Sequence, residues 1–180
     1  MILEKEEQDD FFQNYFPLLY YAGVYEGIVA ETSTMKDFFY TDMIIKVTCR
    51  NILFSDADAI KFYKKDNIKF LGKDPKLAFV NNVQNGILGK FVFLHEDKDK
   101  SIFHHIESKK FYAITAITES LSKMVPNYPA SITTAIFNFK GKIICDGLIG
   151  HHAILGTAIT ENLMAGYKKC LKNNAVVKKI

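Results

Sequence analysis

The chain has 180 residues, of which 48% are apolar and 24% charged, and its formal net charge is +3 at pH 7. Fifteen phenylalanines and nine tyrosines supply enough apolar surface for a core, which excludes general disorder. No uncharged apolar run approaches the ~18 residues that a membrane span needs, so a membrane protein is excluded too. These values are typical of one soluble globular domain.

Helical spacing dominates the first part of the chain, over about 1–66. Acidic residues at 4–10 suit the start of a helix, and apolar residues follow at helical spacing over 11–25. Two more helices are predicted, one over 34–47 with Thr34 as its N-cap and one up to about residue 65, where the run Ser55-Asp56-Ala57-Asp58 supplies an N-cap and an acidic first turn.

Alternating apolar and polar residues predict an antiparallel sheet over about 68–148. Residues 77–80 are predicted to form a strand, and the Asn85-Gly86 pair predicts a hairpin turn into a strand over 87–94. Residues 140–142, Lys-Gly-Lys, predict another tight turn between strands. About five or six antiparallel strands are expected in all.

A C-terminal helix is predicted over about 157–172, with Thr157 as its cap. The predicted fold class is therefore α+β: N-terminal helices, a central antiparallel sheet that is curled or barrel-like, and a C-terminal helix. We expect a single domain over 1–180, because neither the helices nor the sheet is large enough to bury its apolar face alone.

Residues 135–148, Ala-Ile-Phe-Asn-Phe-Lys-Gly-Lys-Ile-Ile-Cys-Asp-Gly-Leu, resemble the C-terminal hairpin of an uncharacterised prokaryotic protein family. The usual form in that family is Pro-Phe-Lys-Gly-Lys-Ile-Ile-Tyr-Asp-Gly-Leu, followed by a helix. The spacing of Gly156, Ile159, Leu163 and Tyr167 is similar to that helix. The resemblance implies an α+β fold, and it implies no function because the family has no assigned activity.

The chain departs from the family pattern at three places. Asn138 stands where the family has proline, and Cys145 stands where it has tyrosine. Thr160 and Glu161 replace a basic pair of the C-terminal helix. If that pair binds an anion in relatives, we expect this chain not to bind it.

Asp146, followed by Gly147, is the candidate catalytic residue, since a carboxylate at a strand end can act as a general base or a metal ligand. The competing interpretation is turn chemistry, in which the aspartate accepts hydrogen bonds from nearby backbone N–H groups.

Five histidines are candidate metal ligands, because one from each adjacent pair could join another histidine or Asp146 at a three-ligand site. The competing interpretation places them at strand ends and in loops, since no His-x-His or HExxH spacing occurs. These candidates are His95, His104, His105, His151 and His152.

The three cysteines form no CxxC pair, and their apolar neighbours predict buried thiols of a reducing compartment. The acidic N-terminal segment has no apolar core of a secretory signal, so the expected location is cytoplasmic. No complete catalytic or phosphate-binding motif occurs, and no cofactor is predicted.

Twenty-two of the 23 basic residues are lysine, and Arg50 is the single arginine. Arginine is the usual reader of guanine and phosphate, so sequence-specific nucleic-acid binding is not expected. Lysines do alternate with aromatic residues over 61–65 and 109–112, a pattern that could stack single-stranded bases. The alternative is a solvated face of an ordinary fold.

Aromatic residues over 11–25 and 38–40 exceed the core needs of one small helical hairpin, which predicts a surface for self-association or for a protein partner. The leading interpretation is therefore a non-enzymatic binding or interaction domain, with a homo-oligomer as one form. The alternative is a metal- or carboxylate-dependent enzyme that uses Asp146 and the histidines. Weak single-stranded nucleic-acid binding is third.

Overall fold

A computed structural model describes residues 2–67, 75–97 and 100–180, except the side chains at positions 66, 75, 151 and 152. The chain divides into two compact units. The helical unit is Glu4–Gly86, and the sheet unit joins the segment ending at Leu3 to Ile87–Ile180.

The helical unit contains five helices within the described residues. The first begins with a capping box in which Glu4 and Glu7 bond to each other's backbone N–H, and it continues through Pro17. The helices are α1 Lys5–Tyr25, α2 Met35–Phe39, α3 Met43–Ser55, α4 Ala57–Asp66 and α5 Pro75–Gln84.

The helix predicted over 34–47 is divided in two. Thr34 caps α2 as predicted, but α2 ends after Phe39, and α3 begins after a new N-cap, Asp42. The helix α4 begins within the predicted run 55–58, where Asp56 is the N-cap and its side chain accepts a hydrogen bond from the backbone N–H of Asp58. The cap of α2 and the start of α4 therefore agree with the sequence, whereas the break at Tyr40 was not predicted.

The prediction of a strand over 77–80 and a hairpin at Asn85-Gly86 is wrong. These residues lie in and directly after α5, and Gly86 donates to the carbonyl of Val83. Phe79, Val80 and Val83 are buried, which is helical spacing. An asparagine–glycine pair can follow a helix as well as form a hairpin turn, because both residues are poor helix formers and so favour the end of a helix.

Within the described residues the sheet unit contains six strands, of which the first begins at Ile87. Of the sheet predicted from about residue 68, residues 75–84 are helical, and residues 68–74 lie outside the described part of the chain. The strands are β1 Ile87–Glu96, β2 Ser101–His105, β3 Phe111–Thr115, β4 Ala130–Phe139, β5 Lys142–Cys145 and β6 Gly150–Ile154. A short helix α6, Leu121–Met124, lies between β3 and β4, and α7, Thr157–Lys172, follows β6.

The strand order is β1-β2-β3-β5-β4-β6, and β4 also pairs with β1. The sheet is thus curled, one of the two predicted shapes. It is mostly antiparallel, but β3 and β5 are parallel through Ile114 with Ile143 and Thr115 with Ile144. The prediction of purely antiparallel strands is therefore wrong at this pair, and the α+β class is confirmed.

Side chains alternate between two apolar clusters across the sheet. Phe91, Phe93 and Phe103 belong to the inner cluster, which also contains Ile114 and Ile136. The outer cluster is smaller, and α7 covers it. Its buried members are Leu94, Ile102, Phe111 and Tyr167.

The C-terminal helix is confirmed, but its cap is not the predicted one. Gly156 is the N-cap, and Thr157 is the first helical residue. Among the described residues, no helix combines the length and apolar character needed to cross a membrane.

Candidate functional site

Asp146 lies directly after β5 and is 4% exposed. Its Oδ1 accepts hydrogen bonds from the Thr134 hydroxyl at 2.9 Å and from the Leu148 backbone N–H at 3.1 Å. Gly147 follows at a φ of 79°, which favours glycine. This arrangement is the turn geometry expected of an Asp-Gly pair, and it directs the carboxylate toward its own backbone.

Two of the candidate histidines lie in the sheet beside α7. The ring of His95 meets the ring of Tyr167 at 5.0 Å, and the ring of His104 meets that of Phe111 at 4.8 Å. The Tyr167 and Phe111 rings are 5.7 Å apart. The four rings therefore form a contiguous row of edge-on and tilted contacts that no local motif predicts, since its members come from β1, β2, β3 and α7.

Burial lowers the pKa of His104, and the neighbouring His105 lowers it further. His104 is therefore neutral at pH 7. Its Nδ1 and the Nε2 of His95 are buried atoms without a hydrogen-bond partner among the described residues. Such groups typically bond to an ordered water in a folded protein.

His105 is placed differently from its neighbour, because adjacent strand residues point to opposite faces. It is 6% exposed, and its Nδ1 lies 2.8 Å from the hydroxyl of Ser108. The ring packs 4.8 Å from that of Phe91 in the inner cluster. This contact gives His105 a role in packing.

His151 and His152 belong to β6 by their backbone, where His152 pairs with Ile132. Their side chains lie outside the described residues. Among the residues that are described, no group of three or more histidine, cysteine, aspartate or glutamate side chains could hold a metal ion. The metal-dependent enzyme stays a prediction.

The cysteines differ in exposure. Cys49 and Cys145 are buried as predicted, whereas Cys170 is only partly buried. Burial raises the pKa of Cys49 to about 11, so this thiol is protonated and unreactive at neutral pH.

A groove of about 330 Å³ lies where α7 and the C-terminal segment meet the sheet. Its apolar part includes Ile102, Ala113 and Leu171. Lys100 and Asp97 stand at the polar side, but the Lys100 ammonium donates to the hydroxyl of Thr115 at 2.6 Å. The volume of the groove is at the lower end of the range for small-molecule pockets.

The helical unit carries a group of large apolar side chains on α1, on α2 and at the start of α3 that are partly or largely exposed, and we call this group the aromatic patch. It begins on α1 with Phe12 and Phe16, whose rings stack at 5.4 Å. Phe16 lies 5.3 Å from Phe39 of α2, and Phe39 lies 5.4 Å from Tyr40. Met43 and Ile44 at the start of α3 complete it. The exposed fractions are 54% for Phe39 and 76% for Tyr40. They are 56% for Met43 and 72% for Ile44.

The aromatic patch is held in one conformation by polar contacts at both ends of α2. At the start, Asp37 and Thr34 form a reciprocal capping box. At the end, the Lys46 ammonium donates to the carbonyl oxygens of Phe39 at 2.8 Å and Thr41 at 2.7 Å. Lys46 Nζ also lies 6.0 Å from the Phe39 ring centroid, within cation–π range. The backbone of α2, which carries Phe39, is therefore preorganised.

The aromatic surplus seen in the sequence divides between core and surface. Phe11, Tyr15 and Phe38 are buried, whereas Phe39 and Tyr40 are exposed. No separate signal marked Met43 and Ile44 as exposed, because a helix continuing over 34–47 would have placed them on its apolar face. The break after α2 exposes them.

The alternating lysine and aromatic residues that could stack nucleic-acid bases lie partly in the interior of the fold. Phe111 and Tyr112 are 5% and 4% exposed, so their faces are not open for base stacking. Arg50 is fully buried in α3, where its Nε donates to Oδ1 of Asn51 at 2.8 Å. The side chain of the single arginine therefore lies in the interior of the helical unit, where it is not open to a nucleic acid.

Comparisons of the chain with protein-family models, with curated proteins and with solved structures returned no significant match. The resemblance of the hairpin over 135–148 to an uncharacterised prokaryotic family stays a prediction.

Proposed function

We propose that the chain is a non-enzymatic binding domain that contacts another protein through the aromatic patch. The observation that carries this proposal is the exposure of Phe39, Tyr40 and Ile44 at 54%, 76% and 72%. Scattered surface hydrophobic residues are ordinary, but a contiguous patch from three helices is typical of an interaction site.

The size of the patch favours a protein partner. At ~200 Å² for each large side chain, the four most exposed residues present roughly 500 Å². This area exceeds the ~400 Å² tolerated on a surface that has no partner. Aromatic residues and methionine are also the types enriched at protein interfaces.

The energetics favour a reversible complex. Burying ~500 Å² of apolar surface contributes about 12 kcal/mol before costs. Association costs ~4–15 kcal/mol in lost freedom, so the net affinity is moderate. Preorganisation of α2 by the Thr34–Asp37 box and by Lys46 reduces the part of that cost spent on ordering side chains.

Site-specific photo-cross-linking tests this proposal. The variant Tyr40→p-benzoylphenylalanine is irradiated alone and with a soluble extract of cells that express the chain. We expect protein adducts at position 40 and a yield at least about fivefold lower when Ile44→Ser is added, because the patch loses its apolar continuity.

The matched control places the same cross-linker at Glu161, an exposed position of α7 in the sheet unit. Adduct yields at position 40 that do not exceed those at position 161, with and without the extract, would show that the patch binds no protein.

A further inference from the structure

We infer that the partner is a second copy of the same chain, which pairs with the first through the aromatic patch about a two-fold axis. This inference rests on the proposed function and specifies its occupant. In such a pair the same surface serves both copies, so the patch has to be complementary to itself.

The charges of the patch satisfy this requirement. Residues 36–46 contain two lysines, Lys36 and Lys46, and two aspartates, Asp37 and Asp42, so their formal charges cancel. Two copies of a neutral, mixed-charge surface meet without net repulsion, and a two-fold arrangement can set an acid of one copy against a base of the other. A strongly charged partner would find no excess of opposite charge on residues 36–46.

Asp42 is suited to such a contact. It is exposed and stands at the N-cap of α3, yet its side chain makes no capping hydrogen bond. Lys36 is also exposed, on the neighbouring helix α2. Exposed charges of opposite sign are therefore present on the two helices that carry Phe39 and Ile44, and such groups suit the polar rim of an interface.

The area of the patch also fits a dimer. Roughly 500 Å² from each copy gives about 1,000 Å² in total, which reaches the lower bound of a specific interface. Contacts of this size are formed by weak, reversible dimers. We therefore expect a dissociation constant in the micromolar range.

Sedimentation velocity over about 1 to 200 μM tests the inference with the whole chain. The wild-type protein should change from monomer to dimer across this range. The double variant Phe39→Ser/Ile44→Ser should dimerise at least ~10-fold more weakly, because both anchors lose their apolar area.

Two further variants test whether the weakening is specific to the aromatic patch and is not caused by unfolding. Ile159→Ser changes a residue of α7 that is 58% exposed, and it should leave dimerisation unchanged. Tyr40→Ser changes the most exposed ring of the patch, so it should weaken dimerisation without unfolding the chain, as circular dichroism would verify.

A wild-type monomer throughout the range, or equal weakening by Ile159→Ser, would overturn self-pairing. Cross-linking from position 40 in a mixture of light and ¹⁵N-labelled chains, with the soluble cell extract added, separates the two proposals. Mixed-mass dimers support both of them. Adducts only with other proteins overturn self-pairing and leave the proposed function standing, whereas no adduct overturns both.

Discussion

The Thr134 hydroxyl donates a 2.9 Å hydrogen bond to Oδ1 of Asp146, and both side chains are buried. Thr134 belongs to β4, and Asp146 opens the turn that follows β5. The backbone N–H of Asp146 bonds to the carbonyl of Ala135 beside it. The pair therefore joins a strand to its neighbour's turn within the sheet unit.

The substitution Thr134→Val tests the contribution of this pair. Valine keeps the shape but removes the donor, and a buried carboxylate that loses a hydrogen bond costs about 1–3 kcal/mol. We expect the free energy of unfolding in urea to fall by that amount. Thr133→Val, at a half-buried neighbouring position, should change it by less than ~0.5 kcal/mol. Equal effects of the two substitutions would contradict the assigned role.

Gly23→Ala should destabilise the helical unit, although alanine is the better helix former by ~1 kcal/mol. A Cβ at this position would lie 2.6 Å from both Cys49 Sγ and Val29 Cγ2. We expect a net loss of about 1–3 kcal/mol from overpacking, measured by urea unfolding.

Gly166→Ala in α7 is the matched control for Gly23→Ala. Its Cβ would meet Phe111 at 3.5 Å, an ordinary contact. The same substitution should therefore stabilise by ~0.5–1 kcal/mol there. Stabilisation by Gly23→Ala as well would show that α1 does not approach its neighbours as closely as described.

The stability of the sheet unit should fall on mild acidification because of His104. Burial lowers the pKa of His104 below its ordinary value of 6.5, so the unfolded chain binds a proton more readily than the folded chain. The free energy of unfolding should therefore decrease as the pH falls through and below 6.5, by at most ~1.4 kcal/mol per pH unit from this group.

Urea unfolding at several pH values between about 7.5 and 5.5 measures this effect, since most carboxylates titrate below that window. His104→Gln removes the titrating group and should flatten the profile. An unchanged profile in this variant would assign the pH dependence to another residue.

Cysteine reactivity should follow burial. At pH 8, iodoacetamide should modify Cys170, which is partly exposed, well before Cys49, whose pKa is raised to about 11 by burial. Peptide mapping by mass spectrometry distinguishes the sites, and urea should abolish the difference. Fast modification of Cys49 in the folded chain would show that its environment opens.

The raised pKa of Cys49 also predicts that the folded protein loses stability at alkaline pH. Because the folded pKa of Cys49 lies above the ordinary 9.0, the stabilisation is fully present below pH 9 and is lost as the pH rises toward 11. Cys49→Ala lowers the overall stability by leaving a cavity, but its free energy of unfolding should decline less steeply between those pH values. Parallel profiles would contradict the shift.

Local chemistry could be predicted from the sequence wherever a few adjacent residues decide it. Thr34 caps α2 because its side-chain oxygen reaches the backbone N–H three residues ahead, and α4 begins within the predicted run 55–58, where Asp56 reaches the N–H two residues ahead. Lys140 and Gly141 form the turn between β4 and β5 with φ values of 46° and 76°, as the Lys-Gly-Lys run predicts. The turn at Asp146 is local in the same sense.

Short apolar runs were ambiguous because both helices and strands bury them. Residues 77–80 could not be assigned by alternation, and only the burial of Phe79, Val80 and Val83 in the folded unit shows the helical spacing. Pro75 at the first position of α5 was a usable signal, since proline is favoured there.

The α+β class, the cap Thr34 and the turn at Lys140 and Gly141 followed from the order of the residues, because they depend on near neighbours and on average composition. Long-range contacts in the folded chain set β3 parallel to β5, brought His95 and His104 into ring contact with Tyr167 and Phe111, and left Phe39 and Ile44 facing solvent. These features depend on contacts between residues distant in the chain, and such contacts leave no fixed spacing in the sequence.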